Sequence, residues 1–494
     1  MIDQWDFSTE YTSVTERMKR AFSILEVLSP TSFPMPKTIS GQTRRHQRNQ
    51  LLSQVKREVK HYRMQSLHRT VLLKLAQATP PLKMRRSWDV EAKVGNRPSF
   101  RLKSGSGIMP TFDRIGGKLL ILGASGSGKT TTLMGLAKVL VSRSMADPEE
   151  PMPILLHLAT WTVDQPIADW IVEQTRIQYE LRPEVVWQWL EELRLLPLID
   201  GFDAVDPEHR ESCLQAINEF LVGHLCPLHL VVCSETKAYH SCPSRLQLNG
   251  AVLLRLLSKR QIREYLTEAK SWDLWRNIED DDNLIRLAKR PLFLSMMALA
   301  FEELLIASWK RLDSLDEQRR YLLNAYLRGQ ITQETTKTGR SQTQTPEQIR
   351  QWLTWLAKQL EAGHQEEFSP HEISPHWLQT SNQKKKYSLG VKLLIGVVWG
   401  IILLWILLGT IRGSILGILS GIGVGLLWAW ATWVFSIHRQ IENFVRRGIL
   451  SSQGHLPWQY RQFLNTATKR LILKKVGRHY RFIHRLLQQH LSQM

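Results

Sequence analysis

The segment 119–130 restricts the possible folds of this chain more than any other. An apolar run ends at Gly123, four residues follow, and Gly128-Lys129-Thr130 then opens a segment of good helix formers. A strand, a G-x-x-x-x-G-K-[ST] loop and a helix in this order form the setting in which a P-loop binds phosphate. The backbone N–H groups of such a loop and the positive end of the following helix point at the same anion. The segment therefore predicts a phosphate site directly after the strand.

The motif also predicts what its residues bind. Lys129 is expected to reach the β- and γ-phosphates, and the Thr130 hydroxyl is expected to bind Mg²⁺. The predicted cofactors are therefore ATP or ADP, together with Mg²⁺. The residues expected to bind nucleotide in this segment are Gly123, Ser125, Gly126, Ser127, Gly128, Lys129, Thr130 and Thr131.

A second apolar run, residues 195–199, leads into two carboxylates. Asp200 is predicted to hold Mg²⁺ beside Thr130, as a Walker B aspartate does. Asp203 follows three residues later, where a carboxylate can orient or activate the attacking water, and it is the candidate catalytic residue. Taken alone, Asp-Gly-Phe-Asp is an ordinary turn, but its place at a strand end after a P-loop favours the functional interpretation. Pro197 fits this strand poorly, because proline cannot donate a ladder hydrogen bond.

Further strands and helices alternate around these motifs. Residues 154–158 and 228–232 are short apolar runs separated by helical stretches, which is typical of a parallel sheet covered by helices. Residues 80–117 contain Pro80-Pro81 and a Gly/Ser stretch, and they are interpreted as a connector. The predicted fold class is α/β: a P-loop NTPase core with a parallel sheet, followed by helical and winged-helix-like regions interrupted by a two-helix transmembrane hairpin.

The charge of the chain points to an acidic partner. The net charge of the chain is +20. With 494 residues, the chain is also long enough for more than one domain. Residues 44–69 are basic with apolar residues near helical spacing, which fits either a solvated helix with one packed face or a basic face for lipid or nucleic acid. No recognised motif for reading a nucleic-acid sequence accompanies these residues, so no specific nucleic acid is expected.

The cysteines are Cys213, Cys226, Cys233 and Cys242. Scattered buried thiols are favoured over a zinc site for them.

The transmembrane expectation rests on two apolar runs. Residues 393–411 and 413–437 carry no charge, Arg412 separates them, and each is close to the ~20 residues that a membrane span needs. Basic residues flank the outer ends, which predicts that both termini are cytoplasmic. The chain is therefore expected to be an integral membrane protein of the cell inner membrane, with the lipid bilayer as a partner. A single bent or re-entrant element is the alternative, because the turn is so short.

Several of these features together resemble the NACHT-type NTPases of the STAND class, and specifically the bacterial membrane-bound members. Residues 123–130 resemble the Walker A motif of that family, and residues 198–203 resemble its extended Walker B motif. Pro291-Leu292 resembles the proline motif, residues 352–357 resemble a tryptophan-rich helix, and residues 480–488 resemble the winged-helix motif. The resemblance extends from about residue 45 to the end of the sequence.

The resemblance implies a molecular switch. It places Pro291 near the adenine and His484 at the bound diphosphate. Family members hold ADP between the NTPase core and the winged helix, and exchange for ATP opens that clamp and favours oligomerisation. Prokaryotic members are associated with signalling and with defence against phage. The implied partners are nucleotide, further copies of the chain, and an unknown sensor or effector protein.

Two departures from the family pattern leave the enzymatic activity open. Ala204 stands where the family usually has a glutamate, and Glu235 follows Ser234 where the family often has an arginine, although Lys237 could replace part of that charge. Losing a carboxylate near the water weakens general-base catalysis by roughly 10²–10⁴-fold where it operates. An anion near the γ-phosphate removes transition-state stabilisation. Slow ATP hydrolysis and a hydrolysis-deficient, nucleotide-stabilised scaffold both fit the sequence.

The expected domain boundaries follow from these motifs. They are a basic helical region and linker at 1–100, the NTPase core at 101–245, a helical subdomain at 246–328, a loop and tryptophan-rich helical region at 329–388, the transmembrane hairpin at 389–437 and a winged-helix-like tail at 438–494.

Overall fold

The computed structural model describes residues 41–67, 71, 90–94, 100–101, 108–304, 306–332, 345–363, 365–369, 377, 383–394, 396–397, 441–476 and 479–494. The chain divides into two compact units. The first comprises residues 1–330 and 475–477, and the second comprises residues 331–474 and 478–494.

The first unit is built on a seven-stranded sheet. Its strands are β1 (Val90–Val94), β2 (Phe100–Arg101), β3 (Lys118–Gly123), β4 (Met152–His157), β5 (Leu195–Asp200), β6 (Leu230–Glu235) and β7 (Gly250–Leu254). Their order in the sheet is β2-β1-β7-β3-β6-β5-β4. Strands β7, β3, β6, β5 and β4 are parallel to one another, whereas β1 is antiparallel to both β7 and β2. The predicted α/β core with a parallel sheet is confirmed.

Burial on both faces explains why the central strands read as apolar runs. Every residue of β3, β5 and β7 is buried, as parallel strands covered by helices on both faces must be. Pro197 lies inside β5, in register with Ile154 of β4. Strands β1 and β2 and a short helix lie within the stretch that the sequence pattern assigns to a connector, so that interpretation is wrong for those residues.

Helices cover the sheet and continue beyond it. Helix α1 (Gly41–Met64) packs along α3 (Lys129–Ala146). Arg48 near the start of α1 contacts Ser144 at the end of α3, and Tyr62 near the end of α1 contacts Thr131 at the beginning of α3, so the two helices run antiparallel. The helices of the first unit are α1 (Gly41–Met64), α2 (Met109–Arg114), α3 (Lys129–Ala146), α4 (Ile167–Tyr179), α5 (Pro183–Glu191), α6 (Arg210–Val222), α7 (Thr236–His240), α8 (Lys259–Glu268), α9 (Trp272–Ile278), α10 (Asp282–Ala288), α11 (Pro291–Leu299), α12 (Ile306–Lys310) and α13 (Leu315–Thr332).

The second unit is organised around the tryptophan-rich helix α14 (Pro346–Ala362). A capping box between Thr345 and Gln348 begins this helix. Trp352 packs edge-on against Phe463, with ring centroids 5.4 Å apart, and its indole N–H donates to the Gly454 carbonyl at 3.0 Å. The remaining labelled elements are α15 (Tyr460–Lys469), the paired strands β8 (Leu473–Val476) and β9 (His479–Phe482), and α16 (Arg485–Ser492), which packs on α14.

The predicted transmembrane hairpin, and with it the inner-membrane location, must be corrected. Among the residues that the structure describes, no helix is long and apolar enough to cross a bilayer. Helical residues 383–394 include four lysines at positions 384, 385, 386 and 392, so they form no continuous apolar surface. Residues 398–440, which hold most of the two apolar runs, lie outside the described residues. The supported fold class is an α/β P-loop core with additional helices.

Candidate nucleotide-binding site

The loop between β3 and α3 has the backbone conformation that its glycines permit. Gly126 and Gly128 have φ angles of +76° and +96°, in the left-handed region that disfavours residues with a Cβ. Gly128 is the N-cap of α3, and the Ser127 N–H donates to the Ala124 carbonyl at 3.1 Å to close the turn. The loop therefore curls at the positive end of a helix, where an anion is stabilised.

Two side chains of the loop are placed to serve a phosphate. Lys129 Nζ donates to the carbonyls of Gly123 and Ala124, at 3.3 and 3.4 Å. Ser127 Oγ is buried and has no hydrogen-bond partner within the described ranges. A Cβ on Gly123 would lie 2.4 Å from this oxygen, so the strand must end in glycine here. A cation and an unsatisfied hydroxyl inside the loop fit a phosphate group.

The structure brings together the two residues predicted to bind Mg²⁺. Thr130 Oγ1 donates to Asp200 Oδ2 at 2.7 Å. Thr130 lies in the first turn of α3, and Asp200 is the last residue of β5. The carboxyl ends of parallel strands meet at one edge of a sheet, which is where ligands bind in this class of fold. A hydroxyl and a carboxylate side by side supply the hard oxygen ligands that Mg²⁺ prefers.

Asp203 lies in a short 3-10 turn, Phe202–Ala204, that follows β5. Its Oδ1 accepts a hydrogen bond from the Glu235 N–H at 2.9 Å, which fixes this carboxylate at the end of β6. The Arg210 guanidinium supports the turn by donating to the Asp203 and Val205 carbonyls, both at 3.1 Å. The turn thus holds Asp203 at the same edge of the sheet as Asp200.

Both departures from the family pattern lie at this edge. Glu235 is in register with Gly123, the last residue of β3 and the first of the P-loop motif. Ala204 is adjacent to Asp203 and ends the same 3-10 turn. The resemblance predicts a cation at position 235 and an additional acid at position 204, whereas this chain has an anion beside the loop and a methyl group beside Asp203.

The proline motif contacts the P-loop directly. The Leu292 N–H donates to the Gly126 carbonyl at 3.2 Å, and a Cβ on Gly126 would lie 3.0 Å from the Leu292 Cβ. Pro291 is the first residue of α11, where its missing N–H costs nothing. The proposed place of Pro291 at the adenine stays a prediction.

His484 belongs to the second unit. It is the N-cap of α16, and its Nδ1 accepts a hydrogen bond from the Leu486 N–H at 3.2 Å. This is a structural role for the imidazole, and its predicted contact with a diphosphate stays a prediction.

Two residues near the site were missed by sequence reasoning. His157 ends β4 in register with Asp200, and a Cβ on Gly201 would lie 2.7 Å from its ring. Its position at the end of an apolar run was the available signal. Tyr62 of α1 places its hydroxyl 3.5 Å from Thr131 Oγ1. Nothing local in the sequence indicates a contact between residues so far apart.

Two buried cysteines of the first unit have raised thiol pKa values. Burial, followed by the nearby negative charge of Asp200, raises the pKa of the Cys233 thiol well above its usual value. Burial likewise raises the pKa of Cys213 to about 12. Both thiols stay protonated and unreactive at neutral pH. In the described part of the chain, no group of three or more His, Cys, Asp or Glu residues could hold a metal ion.

Comparison with known proteins identifies the part of the chain that carries this site. Residues 118–273 match the NACHT domain. That segment, from the beginning of β3 to the beginning of α9, is a P-loop NTPase domain related to the STAND class. It includes the P-loop, Asp200, Asp203 and Glu235. No curated protein is significantly similar to the chain.

Three solved structures with which the chain aligns are distantly similar to it. They include Drosophila ORC bound to DNA, at 14% identity over 72% of this chain and 83% of that chain, with a TM-score of 0.27. Cdc6p from Pyrobaculum aerophilum is 10% identical over 78% and 90% of the two chains, with a TM-score of 0.27. ORC1 from Aeropyrum pernix in complex with DNA is 14% identical over 76% and 86%, also with a TM-score of 0.27. Similarities at this level support no argument about fold or function.

Proposed function

We propose that the chain is a nucleotide-binding switch of NACHT/STAND type, which binds ATP or ADP with Mg²⁺ and hydrolyses ATP slowly. The Thr130–Asp200 hydrogen bond of 2.7 Å carries this proposal, because it joins the Walker A and Walker B motifs at one metal-binding position. We assign the output of the switch to signalling or defence, on the resemblance to family members with those roles.

Each residue of the site has a part in the proposed mechanism. Lys129 binds the β- and γ-phosphates, and Thr130 and Asp200 bind Mg²⁺, which neutralises developing phosphate charge when present. Asp203 orients the attacking water. The other proposed ligands are Gly123, Ser125, Gly126, Ser127, Gly128 and Thr131 for the phosphates, Pro291 at the adenine and His484 at the diphosphate.

The proposal includes the domain order and partners expected of such a switch. The NTPase core at 101–245 is followed by a helical subdomain at 246–328, and the winged-helix-like tail occupies 438–494. ATP-bound copies assemble into homo-oligomers, and a separate sensor or effector protein connects the switch to its signal. The proposed domain order and the proposed partners both rest on the family resemblance.

A second candidate function is a nucleotide-stabilised scaffold without useful turnover. Ala204 and Glu235 favour it, since both lie at the carboxyl edge of the sheet and neither supplies the expected catalytic group. The two candidates share nucleotide binding and differ only in hydrolysis.

Lys129→Ala tests the binding that both candidates share, with Lys138→Ala as the matched control. Lys138 is exposed on the same helix, nine residues further along, so it tests the loss of one α3 lysine away from the loop. With Mg-ADP or Mg-ATP at 100 times Kd, the wild-type protein and Lys138→Ala should gain about 2.7 kcal/mol of stability. Lys129→Ala should gain none. An equal thermal shift in Lys129→Ala and wild type would show that the P-loop assignment is wrong.

A further inference from the structure

Helix α1 has two faces of opposite character. Its apolar residues Leu51, Leu52, Val55 and Val59 are buried in the core of the first unit. Its one acidic residue, Glu58, also points toward the core, where it accepts hydrogen bonds from Tyr179 Oη at 3.1 Å and Gln178 Nε2 at 3.0 Å. The outer face of α1 therefore carries no carboxylate of its own.

The outer face is a cationic stripe, formed by Arg45, Lys56, Arg57, Lys60 and Arg63. All five side chains are exposed, and none has an acidic partner among the described residues. At 3.6 residues per turn they project within about 120° of the helix circumference. From the first to the last, the stripe is about 27 Å long at a rise of 1.5 Å per residue.

Inward-facing polar residues of α1, two of them basic, anchor the helix that carries the stripe. Arg48 donates to the Ser144 carbonyl at 2.7 Å, and Arg44 forms an ion pair with Glu192. Gln50 donates to the Tyr179 carbonyl at 3.2 Å. Because these contacts anchor α1 along the domain, the exposed cations are preorganised in a row, and binding a partner requires no ordering of the helix.

We propose that this stripe binds the phosphodiester backbone of a nucleic acid without reading its sequence. Each strand of a duplex carries one phosphate per 3.4 Å of the helix axis, so a stripe about 27 Å long matches the axial length of about eight phosphates of one strand. Four of the five cations lie within residues 56–63, and the outer face carries no acid. Such a concentration of positive charge complements a regularly charged anionic polymer. This inference does not depend on nucleotide binding at the P-loop.

The distribution of apolar residues argues against a lipid surface as the partner. A helix that binds at a membrane interface inserts its apolar face among the lipids. In α1, all of whose residues are described, that face is buried in the protein core, and Met64 at the end of the helix is the exposed large apolar residue. The exposed surface of α1 is cationic and polar, which suits phosphates in solution better than a bilayer.

The test compares two triple variants of the full chain. Lys56→Gln/Arg57→Gln/Lys60→Gln removes the centre of the stripe, and Lys259→Gln/Arg286→Gln/Lys310→Gln removes three exposed cations from α8, α10 and α12. Both variants have the same net charge. Binding to a fluorescent, random-sequence DNA duplex is measured over a range of salt concentrations, and melting temperature confirms that each variant is folded.

The stripe variant should bind more than about tenfold more weakly near 0.1 M salt, and its salt slope should fall in magnitude by about 2 to 3. The control should stay within about twofold of wild type. The single variant Arg57→Gln should lower the slope by about 1, which keeps the test valid if the triple variant is unstable.

Three outcomes would overturn the proposal. One is equal weakening in both triple variants, which would mean that net charge alone drives binding. Another is wild-type binding to vesicles containing phosphatidylglycerol with no binding to DNA. The third is a salt slope unchanged by Arg57→Gln.

Discussion

The imidazole of His229 makes the stability of the P-loop strand dependent on pH. Its Nδ1 lies 3.1 Å from the Gly116 carbonyl, and a Cβ on Gly117 would lie 2.0 Å from that nitrogen, so the ring fills the space beside the turn into β3. Burial lowers the pKa of His229, and the hydrogen bond to Gly116 opposes this only in part. The folded protein therefore favours the neutral ring.

A lowered histidine pKa fixes the sign of the pH effect. Below the ordinary histidine pKa of about 6.5 the unfolded chain binds a proton that the folded chain resists, so stability falls as the pH drops. We expect the wild-type melting temperature to decrease between about pH 7 and pH 5. His229→Gln should show a flatter profile over that range. Parallel profiles for the two proteins would contradict this role.

Substitutions of Asp200 and Asp203 should have different effects on nucleotide binding. Asp200 contacts Thr130 at the predicted metal position, so Asp200→Asn should weaken Mg-ATP binding and abolish the advantage of adding Mg²⁺. Asp203 is held by the Glu235 backbone, and Asp203→Asn should leave binding within about threefold while reducing turnover by roughly 10²-fold or more. Titration calorimetry with and without Mg²⁺ measures the first effect. Equal losses of binding in the two variants would contradict the assignment.

At the scale of elements, a buried tyrosine joins α1, α4 and the edge strand β4. Tyr179 Oη donates to Glu58 and accepts a hydrogen bond from the Leu155 N–H at 3.2 Å. Burial, followed by the charge of Glu58, raises the pKa of Tyr179 well above its usual value, so it remains a donor. Tyr179→Phe leaves a buried strand N–H and a carboxylate without this partner, which should cost about 1–3 kcal/mol.

Urea unfolding provides the measurement, and Glu58→Gln provides the comparison. Glutamine keeps an oxygen that can accept from the tyrosine, so Glu58→Gln should cost less than Tyr179→Phe. Because the two residues share one hydrogen bond, the double variant should be less destabilised than the sum of the single changes. Additive effects would show that the two residues do not stabilise the docked helix together.

The strands that the sequence predicted share one physical property, which is burial within the helix-covered parallel part of the sheet. Strands β3 to β6 lie among parallel neighbours under helices, so they appear as apolar runs. Strand β1 includes Glu91 and Lys93 and pairs antiparallel to β7, and its composition gives no such signal. The Thr130–Asp200 pair was predictable because both motifs end at the carboxyl edge of the sheet. The contact of Tyr62 with Thr131 depends on how α1 docks, which no local pattern encodes.

At the scale of the whole molecule, the outcome that matters is the rate of ATP turnover. In the proposed mechanism, binding depends on the P-loop, Lys129, and the Thr130–Asp200 pair. The groups proposed to speed hydrolysis are reduced to Asp203, with Ala204 beside it and Glu235 at the end of β6. The protein should therefore bind Mg-ATP well and hydrolyse it slowly.

Restoring the missing groups should raise that rate. Ala204→Glu places a second carboxylate on the 3-10 turn beside Asp203, and general-base assistance contributes roughly 10²–10⁴-fold where it operates. Glu235→Arg replaces an anion with a cation next to the first P-loop glycine, where it can stabilise charge in the transition state. We expect Ala204→Glu to be faster than wild type and the double variant to be faster still. Phosphate release is measured under saturating Mg-ATP, with melting temperature and nucleotide affinity recorded for each protein. A folded double variant that binds Mg-ATP but is no faster than wild type would show that these two positions do not limit hydrolysis.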